Sequence, residues 1–215
     1  VGRAVWPVCA SSRTILTMNQ NPANPRVGKN VYIAPTAYVG GDVRLGDGAT
    51  VMHHAAIRGD IAPIRVGART NVQDGSVLHT RYGIPLDIAD EVVIGHRAVV
   101  HCRSVGTRTL IGIGAIILDE AEIGNHCIIA AGAVVTPGTQ VPDGSVFGGV
   151  PARLLRPTHD GDRAEIARIV ESYVEVGGRH AAGWYPNIAD AAANHPGCDG
   201  GRGPDGPGVS TGAQG

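Results

Sequence analysis

The stretch VGTRTLIGIGAIILDEAEIGNHCIIAAGAVVTPGTQVPDGSVF, residues 105–147, places a large apolar residue at every sixth position. A period of six fits neither a helix, which repeats every ~3.6 residues, nor a simple strand, which repeats every ~2. Each unit is instead typical of a short strand followed by a tight corner, and three units close one triangular turn of a parallel β-helix. The repeated residues are Val105, Ile111, Ile117, Ile123, Ile129, Val135, Val141 and Phe147.

The same spacing continues upstream of this stretch. Stacked units of this kind bury together an apolar face that no single unit could bury alone. An ordinary β-sandwich with accidental spacing is the alternative, and the number of in-phase units argues against it. The upstream positions are Val27, Ile33, Val39, Leu45, Val51 and Ile57, then Val66, Val72 and Leu78, then Ile88, Ile94 and Val100.

The repeat therefore predicts a mainly β protein, a parallel β-helix with a C-terminal α-helix. Apolar residues at helical spacing predict that helix over Asp162–Val176, packed along the coil. The last residues are rich in Gly and Pro and cannot offset the entropy of ordering. The predicted divisions are an N-terminal extension (1–26, with the natural start at Val1 or Met18), the β-helix domain (27–156), a C-terminal helical segment (157–194) and a disordered tail (195–215).

Composition excludes several classes of partner. The 215 residues carry 18 Lys and Arg against 19 Asp and Glu, a net charge of -1, so no basic excess favours nucleic acid. No apolar run reaches the roughly 18–20 residues that cross a membrane, and the N-terminus lacks a secretion signal, which together predict a cytoplasmic protein. The cysteines form no C-x-x-C pair and are expected to be reduced; they are Cys9, Cys102, Cys127 and Cys198.

Three of the nine histidines lie where the repeat brings them toward one site. If the three sides of the coil are called faces a, b and c, Leu78 and Val100 begin face-c units on successive coils. His79 and His101 follow them directly, so they are expected to point outward from one face, about 4.8 Å apart. His96 is the third residue of a face-b unit and points from another side.

A symmetric trimer would join these histidines, because face b of one subunit can meet face c of the next. Three neutral imidazoles around a tetrahedral zinc ion leave the fourth position to water, the pattern of a catalytic site. The bound metal lowers the pKa of that water from about 15.7 to about 7, which makes hydroxide at neutral pH. Fe²⁺ and Co²⁺ also accept imidazole ligands. Three unrelated surface histidines are the alternative.

Polar residues collect at the same interface. Gln73 and Asp74 lie one coil before His96 on face b, while Arg58 and Asp60 lie one coil before His79. The Gln73 amide can orient the attacking hydroxide or the substrate. Arg58 opposite a carboxylate such as Asp74 could join two subunits by a bidentate pair, although an ordinary surface ion pair is the alternative.

Beyond the repeat, several short motifs between Val31 and Arg156 carry a family resemblance. They are Ile57-Arg58-Gly59-Asp60, Pro63-Ile64-Arg65-Val66-Gly67, Asn71-Val72-Gln73-Asp74-Gly75-Ser76, Leu78-His79, Gly95-His96, Val100-His101, Leu118-Asp119 and Gly149-Val150-Pro151-Ala152-Arg153. With them the chain resembles the γ-class carbonic anhydrases, lyases that interconvert CO₂ and bicarbonate.

The resemblance implies a left-handed coil and a homotrimer. It implies that His79 and His101 come from one subunit and His96 from its neighbour, and that Gln73 contacts the catalytic water. It further implies that Arg58, Asp60 and Asp74 organise the interface and the site. The reaction that the resemblance implies is the hydration of CO₂, in which these residues are expected to take part.

Two departures from the family pattern concern the proton and a thiol. Asp60 is followed by Ile61, where the best-studied type of site carries an acidic residue, and the loop after His79 holds no Glu. The released proton is then left to buffer, Tyr82, Asp87 or a nearby histidine such as His53. Cys102, directly after His101, is either redox-sensitive or a buried inert thiol.

Two other functions fit the same coil. Hexapeptide acyltransferases share it and its Gly-x-Pro-Ala-[Lys/Arg] ending, but they use a single histidine as general base and need no metal. A trimeric metal-binding scaffold without activity, or with another substrate, could retain every ligand. The three histidines with Gln73 and Asp74 favour metal chemistry over acyl transfer.

Overall fold

The computed structural model describes residues 24–187. Nearly every element is a strand of two or three residues, and the exceptions are the long β3 and β5, two longer strands at the C-terminal end and one helix. The strands are β1 (Arg26–Val27), β2 (Tyr32–Ile33), β3 (Tyr38–Leu45), β4 (Thr50–Val51), β5 (Ala56–Val66), β6 (Asn71–Val72), β7 (Val77–His79), β8 (Leu86–Ile88), β9 (Val93–Ile94), β10 (Val99–Val100), β11 (Ser104–Val105), β12 (Leu110–Ile111), β13 (Ile116–Ile117), β14 (Glu122–Ile123), β15 (Ile128–Ile129), β16 (Val134–Val135), β17 (Gln140–Val141), β18 (Ser145–Gly148) and β19 (Arg153–Pro157), followed by α1 (Asp160–Ala181).

The strands form three parallel faces. Face c runs β5-β7-β10-β13-β16 and face a runs β5-β8-β11-β14-β17, joined through the long β5, whereas face b runs β2-β4-β6-β9-β12-β15-β18-β19. Each strand pairs with the strand one coil earlier and one coil later, and only the β18–β19 pair is antiparallel. The predicted β-helix is confirmed.

The repeated aliphatic residues form the core of the coil. Three of them, Leu78 on β7, Ile94 on β9 and Ile117 on β13, are completely buried. At the first coil the expectation is wrong, because Val27 is 55% exposed and Ile33 is 36% exposed. Among residues 24–187 no coil lies beyond them, so their outer side has nothing to pack against.

Helix α1 is longer than predicted at both ends. It begins at Asp160 because His159 and Asp162 form a reciprocal cap: the Asp162 N–H donates to the His159 ring and the His159 N–H donates to the Asp162 carboxylate. Ile166 and Val170 are buried against Val93 of face b. The helix thus packs along the coil, as expected, and its C-terminal half reaches β2 and β4.

The four predicted divisions of the chain remain predictions. The described residues begin at position 24 and end at 187, so most of the extension 1–26 and all of the tail 195–215 lie outside them. No helix within 24–187 has the length and apolarity needed to span a membrane.

Glycine after the repeated aliphatic residue lets neighbouring coils approach closely. A Cβ on Gly112 would lie 2.5 Å from the backbone nitrogen of Ala131 in the next coil. We expect Gly112→Ala to lower the free energy of unfolding by about 1–3 kcal/mol, because the backbones must separate. Denaturant unfolding measures it, with Gly178→Ala as control: Gly178 lies inside α1 with open space around it, so that change should stabilise by roughly 0.5–1 kcal/mol. Equal effects at both positions would contradict the packing argument.

Candidate metal centre

Two of the three predicted ligands meet on face c. The β7–β10 register pairs Leu78 with Val100, which places His79 beside His101. The His79 and His101 ring centroids are 5.2 Å apart, and His79 Nδ1 lies 3.3 Å from His101 Nε2. The expectation that successive coils stack these imidazoles agrees with the geometry.

A carboxylate holds the nitrogen of each imidazole that points away from the other ring. Asp60 Oδ1 lies 3.1 Å from His79 Nε2, and Asp119 Oδ1 lies 2.5 Å from His101 Nδ1. Histidines that bind metals usually have such a partner, which fixes the tautomer and the ring orientation. The remaining nitrogens, His79 Nδ1 and His101 Nε2, touch no carboxylate and lie within hydrogen-bond distance of each other.

The electrostatics keep His79 in the form that binds a metal. Burial lowers the pKa of the His79 imidazole, and the hydrogen bond to Asp60 offsets only part of this effect, since the nearby Arg58 charge lowers the pKa further. Burial raises the pKa of the Asp60 carboxyl, but hydrogen bonds from Arg58 and His79 outweigh it and hold that pKa below its usual value. A neutral imidazole next to an ionised carboxylate results.

The pair fits a tetrahedral metal ion, but it is incomplete. Two imidazole nitrogens bound to one zinc ion at about 2.0–2.1 Å lie about 3.3–3.4 Å apart, and the observed separation is 3.3 Å. Within residues 24–187, however, no three His, Cys, Asp or Glu side chains lie close enough to hold an ion. Within the described residues the pair is therefore one histidine short of the three-histidine set that the sequence predicts.

His96 lies on face b, away from the pair. It follows β9, and its Nδ1 lies 3.0 Å from Asp74 Oδ2, with both side chains about two-fifths exposed (41% and 43%). Like His79 and His101, His96 therefore has one nitrogen against a carboxylate, and no hydrogen bond to its Nε2 occurs within residues 24–187. Arg58 donates to Asp60 of its own chain at 2.5 Å, so it supports the carboxylate that holds His79; its predicted pairing with Asp74 across subunits stays a prediction.

Gln73 is oriented by a neighbour on its own strand. Its side chain is buried, and its Nε2 donates to Asn71 Oδ1 at 3.1 Å, which leaves Gln73 Oε1 free to accept. Asn71 Nδ2 is buried and has no hydrogen-bond partner among the described residues. Gln73 also lines an apolar groove between face b and α1, together with Val93, Leu110, Ile113, Ile128 and Ile169.

Comparisons with known proteins identify the family. A family model of bacterial transferase hexapeptide repeats matches residues 24–59 and 104–137. A protein named carbonic anhydrase from Geobacillus kaustophilus is 39% identical over 153 residues, which cover 71% of this chain and 84% of that protein. The chain belongs to the γ-class carbonic anhydrase family. The relative named gamma carbonic anhydrase 1, mitochondrial, from Arabidopsis thaliana is 39% identical over 177 residues, 80% of this chain.

The proteins that match this γ-class carbonic anhydrase relative differ in length and in the activity that their names give. The chain spans 64% of the length of that Arabidopsis protein. A solved structure titled a putative acetyltransferase, from Bacillus cereus, matches with a TM-score of 0.72 and 36% identity, covering 74% of this chain and 92% of that one.

The two candidate proton carriers in the loop after His79, Tyr82 and Asp87, lie in different surroundings. Tyr82 is 62% exposed. Asp87 lies between the inward-pointing Leu86 and Ile88 of β8, so it faces outward on face a, 3.8 Å from Arg65. The His79–His101 pair is on face c, and the role of Asp87 as a proton carrier stays a prediction.

Cys102 is buried beside the pair. Burial raises the pKa of its thiol to about 12, and the sulfur contacts the Ser104 carbonyl oxygen at 3.7 Å. Because the thiolate is the reactive form, this environment favours the inert thiol over the redox-sensitive one.

Two residues have roles that the sequence alone did not reveal. Asp119 occurs in a recognised motif, but its contact with His101 follows only from the next coil, where Val100 pairs with Ile117 and brings Asp119 under the imidazole. Asn71 precedes Val72 by one position, and its contact with Gln73, two residues later on the same side of the strand, could have been read from strand alternation.

Proposed function

We propose that this protein hydrates CO₂ to bicarbonate at a metal centre shared between the subunits of a homotrimer. The observation that carries the proposal is the His79–His101 pair: two imidazole nitrogens face each other 3.3 Å apart, and a carboxylate holds the opposite nitrogen of each ring. His96 of the adjacent subunit would supply the third ligand, since its Nε2 and its Asp74 contact repeat that arrangement. Two ligands from one chain and one from the next make the trimer a requirement of the site.

Zinc is the metal we propose, with Fe²⁺ or Co²⁺ as alternatives that the same donors accept. When bound, the metal supplies Lewis acidity that lowers the pKa of a water at the site toward neutrality. The residues around it have separate tasks. Asp60, Asp74 and Asp119 keep the three rings in position, and Arg58 keeps the Asp60 carboxylate ionised and oriented.

Gln73 and Asn71 would orient water and substrate. Because Gln73 Nε2 is engaged by Asn71, Gln73 Oε1 can accept a hydrogen bond from the attacking water, which directs a lone pair toward carbon. Asn71 is buried, so its part is to hold the Gln73 amide in this orientation. The apolar groove that Gln73 lines suits CO₂, which carries no charge.

Removing the carboxylate behind His101 should weaken the centre without unfolding the coil. We expect Asp119→Ala to reduce metal affinity or CO₂ hydration by about 10–100-fold, because the ring loses the group that fixes its orientation. Metal titration and stopped-flow hydration measure the two effects. Asp143→Ala serves as a control, since Asp143 holds Asn125 elsewhere on the coil; equal losses in both variants would contradict the assigned role.

Two alternatives remain distinct in their predictions. An acyltransferase, the activity named for the Bacillus cereus structure, would keep its activity when the metal is removed. A scaffold would bind metal fully and hydrate nothing. The neutral charge balance still argues against nucleic acid as a partner, and the cytoplasmic location stays a prediction.

The test is stopped-flow CO₂ hydration by protein of measured metal content, before and after chelation and again after zinc is restored. The proposal expects activity that disappears with the metal and returns with it. Full metal occupancy without hydration in concentrated buffer would contradict the proposal and favour the scaffold.

A further inference from the structure

One corner of the coil carries three polar residues in register. His53, Asp74 and His96 each lie two positions after the paired residues Val51, Val72 and Ile94. Backbone hydrogen bonds confirm the stacking: the Gly75 N–H donates to the His53 oxygen, and the Arg97 N–H donates to the Asp74 oxygen. We call His53, Asp74 and His96 the corner ladder. Its ends are about 9–10 Å apart, two strand spacings.

The outer member of the ladder is held with one nitrogen free. His53 Nδ1 lies 2.9 Å from the Thr36 hydroxyl, and no hydrogen bond to His53 Nε2 occurs among the described residues. His180, near the C-terminus of α1, packs edge-on against the His53 ring with centroids 5.8 Å apart and stacks on Tyr32. The His53 side chain is half-buried, so one side of it reaches solvent.

Four titratable groups lie around His53. The groups facing it are His54 from its own corner, Asp74 from the next coil, Tyr32 from β2 and His180 from α1. Asp74 is the carboxylate among them, and after burial its charge is the second cause that raises the pKa of Tyr32 on β2.

We propose that His53 is the proton acceptor of the CO₂ hydration reaction, an inference that rests on the proposed function. CO₂ and water give bicarbonate and one proton; that proton would pass from water at His96 along water molecules beside Asp74 to His53 Nε2, and from there to a buffer base. Asp74 lies between the two histidines of the corner ladder, so its carboxylate can hold the bridging water molecules. Histidine suits this task because its charge changes near neutral pH, and bridging waters can link polar groups across the gap.

The test compares His53→Ala with the wild type in dilute buffer and in concentrated imidazole. We expect kcat in dilute buffer to fall about 10-fold, kcat/KM for CO₂ to stay unchanged, and imidazole to restore kcat, since proton release follows bicarbonate formation. His53→Gln, which can keep the Thr36 contact, is the second variant if alanine disturbs folding. His54→Asn is the matched control, because His54 has a φ of 60° that Asn tolerates.

The outcomes separate this inference from the function on which it rests. An unchanged kcat in dilute buffer, or a parallel fall in kcat/KM that imidazole does not restore, overturns the role of His53 while CO₂ hydration stands. A metal-loaded wild type that is inactive even in concentrated imidazole overturns the proposed function and this inference together.

Discussion

CO₂ hydration by His101→Ala should fall at least ~10³-fold, equivalent to about 4 kcal/mol of transition-state stabilisation. His101 contributes one of the two facing imidazole nitrogens of the pair, 3.3 Å from the other. Its removal leaves His79 alone on face c and leaves the Asp119 carboxylate without the ring it holds. Stopped-flow hydration and metal analysis of the purified variant measure the loss.

The control for this variant is His126→Asn. His126 lies at a corner of the coil with a φ of 54°, a conformation that Asn adopts readily, and takes no part in the pair. We expect the control to keep its metal and its activity. Hydration by His101→Ala at the wild-type rate, with the coil folded, would remove the pair from the mechanism.

The second large effect is expected from a residue outside the pair. His96→Ala should lose tightly bound metal and at least ~10³-fold in hydration, although no contact joins His96 to His79 or His101 within residues 24–187. The reason is that the third ligand of each centre would come from the neighbouring subunit, so the substitution empties a site on another chain.

Circular dichroism and metal analysis of the variant show whether the coil stays folded while the metal is lost. His53→Ala is the matched control, because it changes a histidine of the same corner ladder without changing a ligand; it should keep its metal. One tightly bound metal per subunit in His96→Ala would refute the shared site.

The sequence predicts the pairing of residues better than the direction of their side chains. Inward aliphatic residues fix the coil register, so the places of Leu78 and Val100, each at the start of a face-c unit, are enough to put His79 beside His101. Asp87 could not be placed by loop length, because its neighbours Leu86 and Ile88 form a strand that turns it to face a. Asp119 required the register of the next coil as well as the His101 ring orientation.

End effects account for the remaining differences in the fold. The repeat treats Val27 like any inward residue, but a terminal coil buries only one side. Helical periodicity located α1 without its ends, since the start depends on the reciprocal His159 and Asp162 cap. The helix continues past the predicted end at Val176. The next residue, Gly177, faces Thr50 so closely that a Cβ on Gly177 would lie 2.5 Å from the Thr50 methyl group.

The most direct test of the shared centre mixes two inactive proteins. His101→Ala subunits keep His96, and His96→Ala subunits keep His79 and His101, so an interface formed between them in the right order holds all three ligands. After equal amounts are denatured together and refolded, random assembly should restore about a quarter of the wild-type metal sites and CO₂ hydration. Either protein refolded alone should restore neither. A mixture as inactive as its two components, with trimers formed and zinc present, would contradict the shared metal centre.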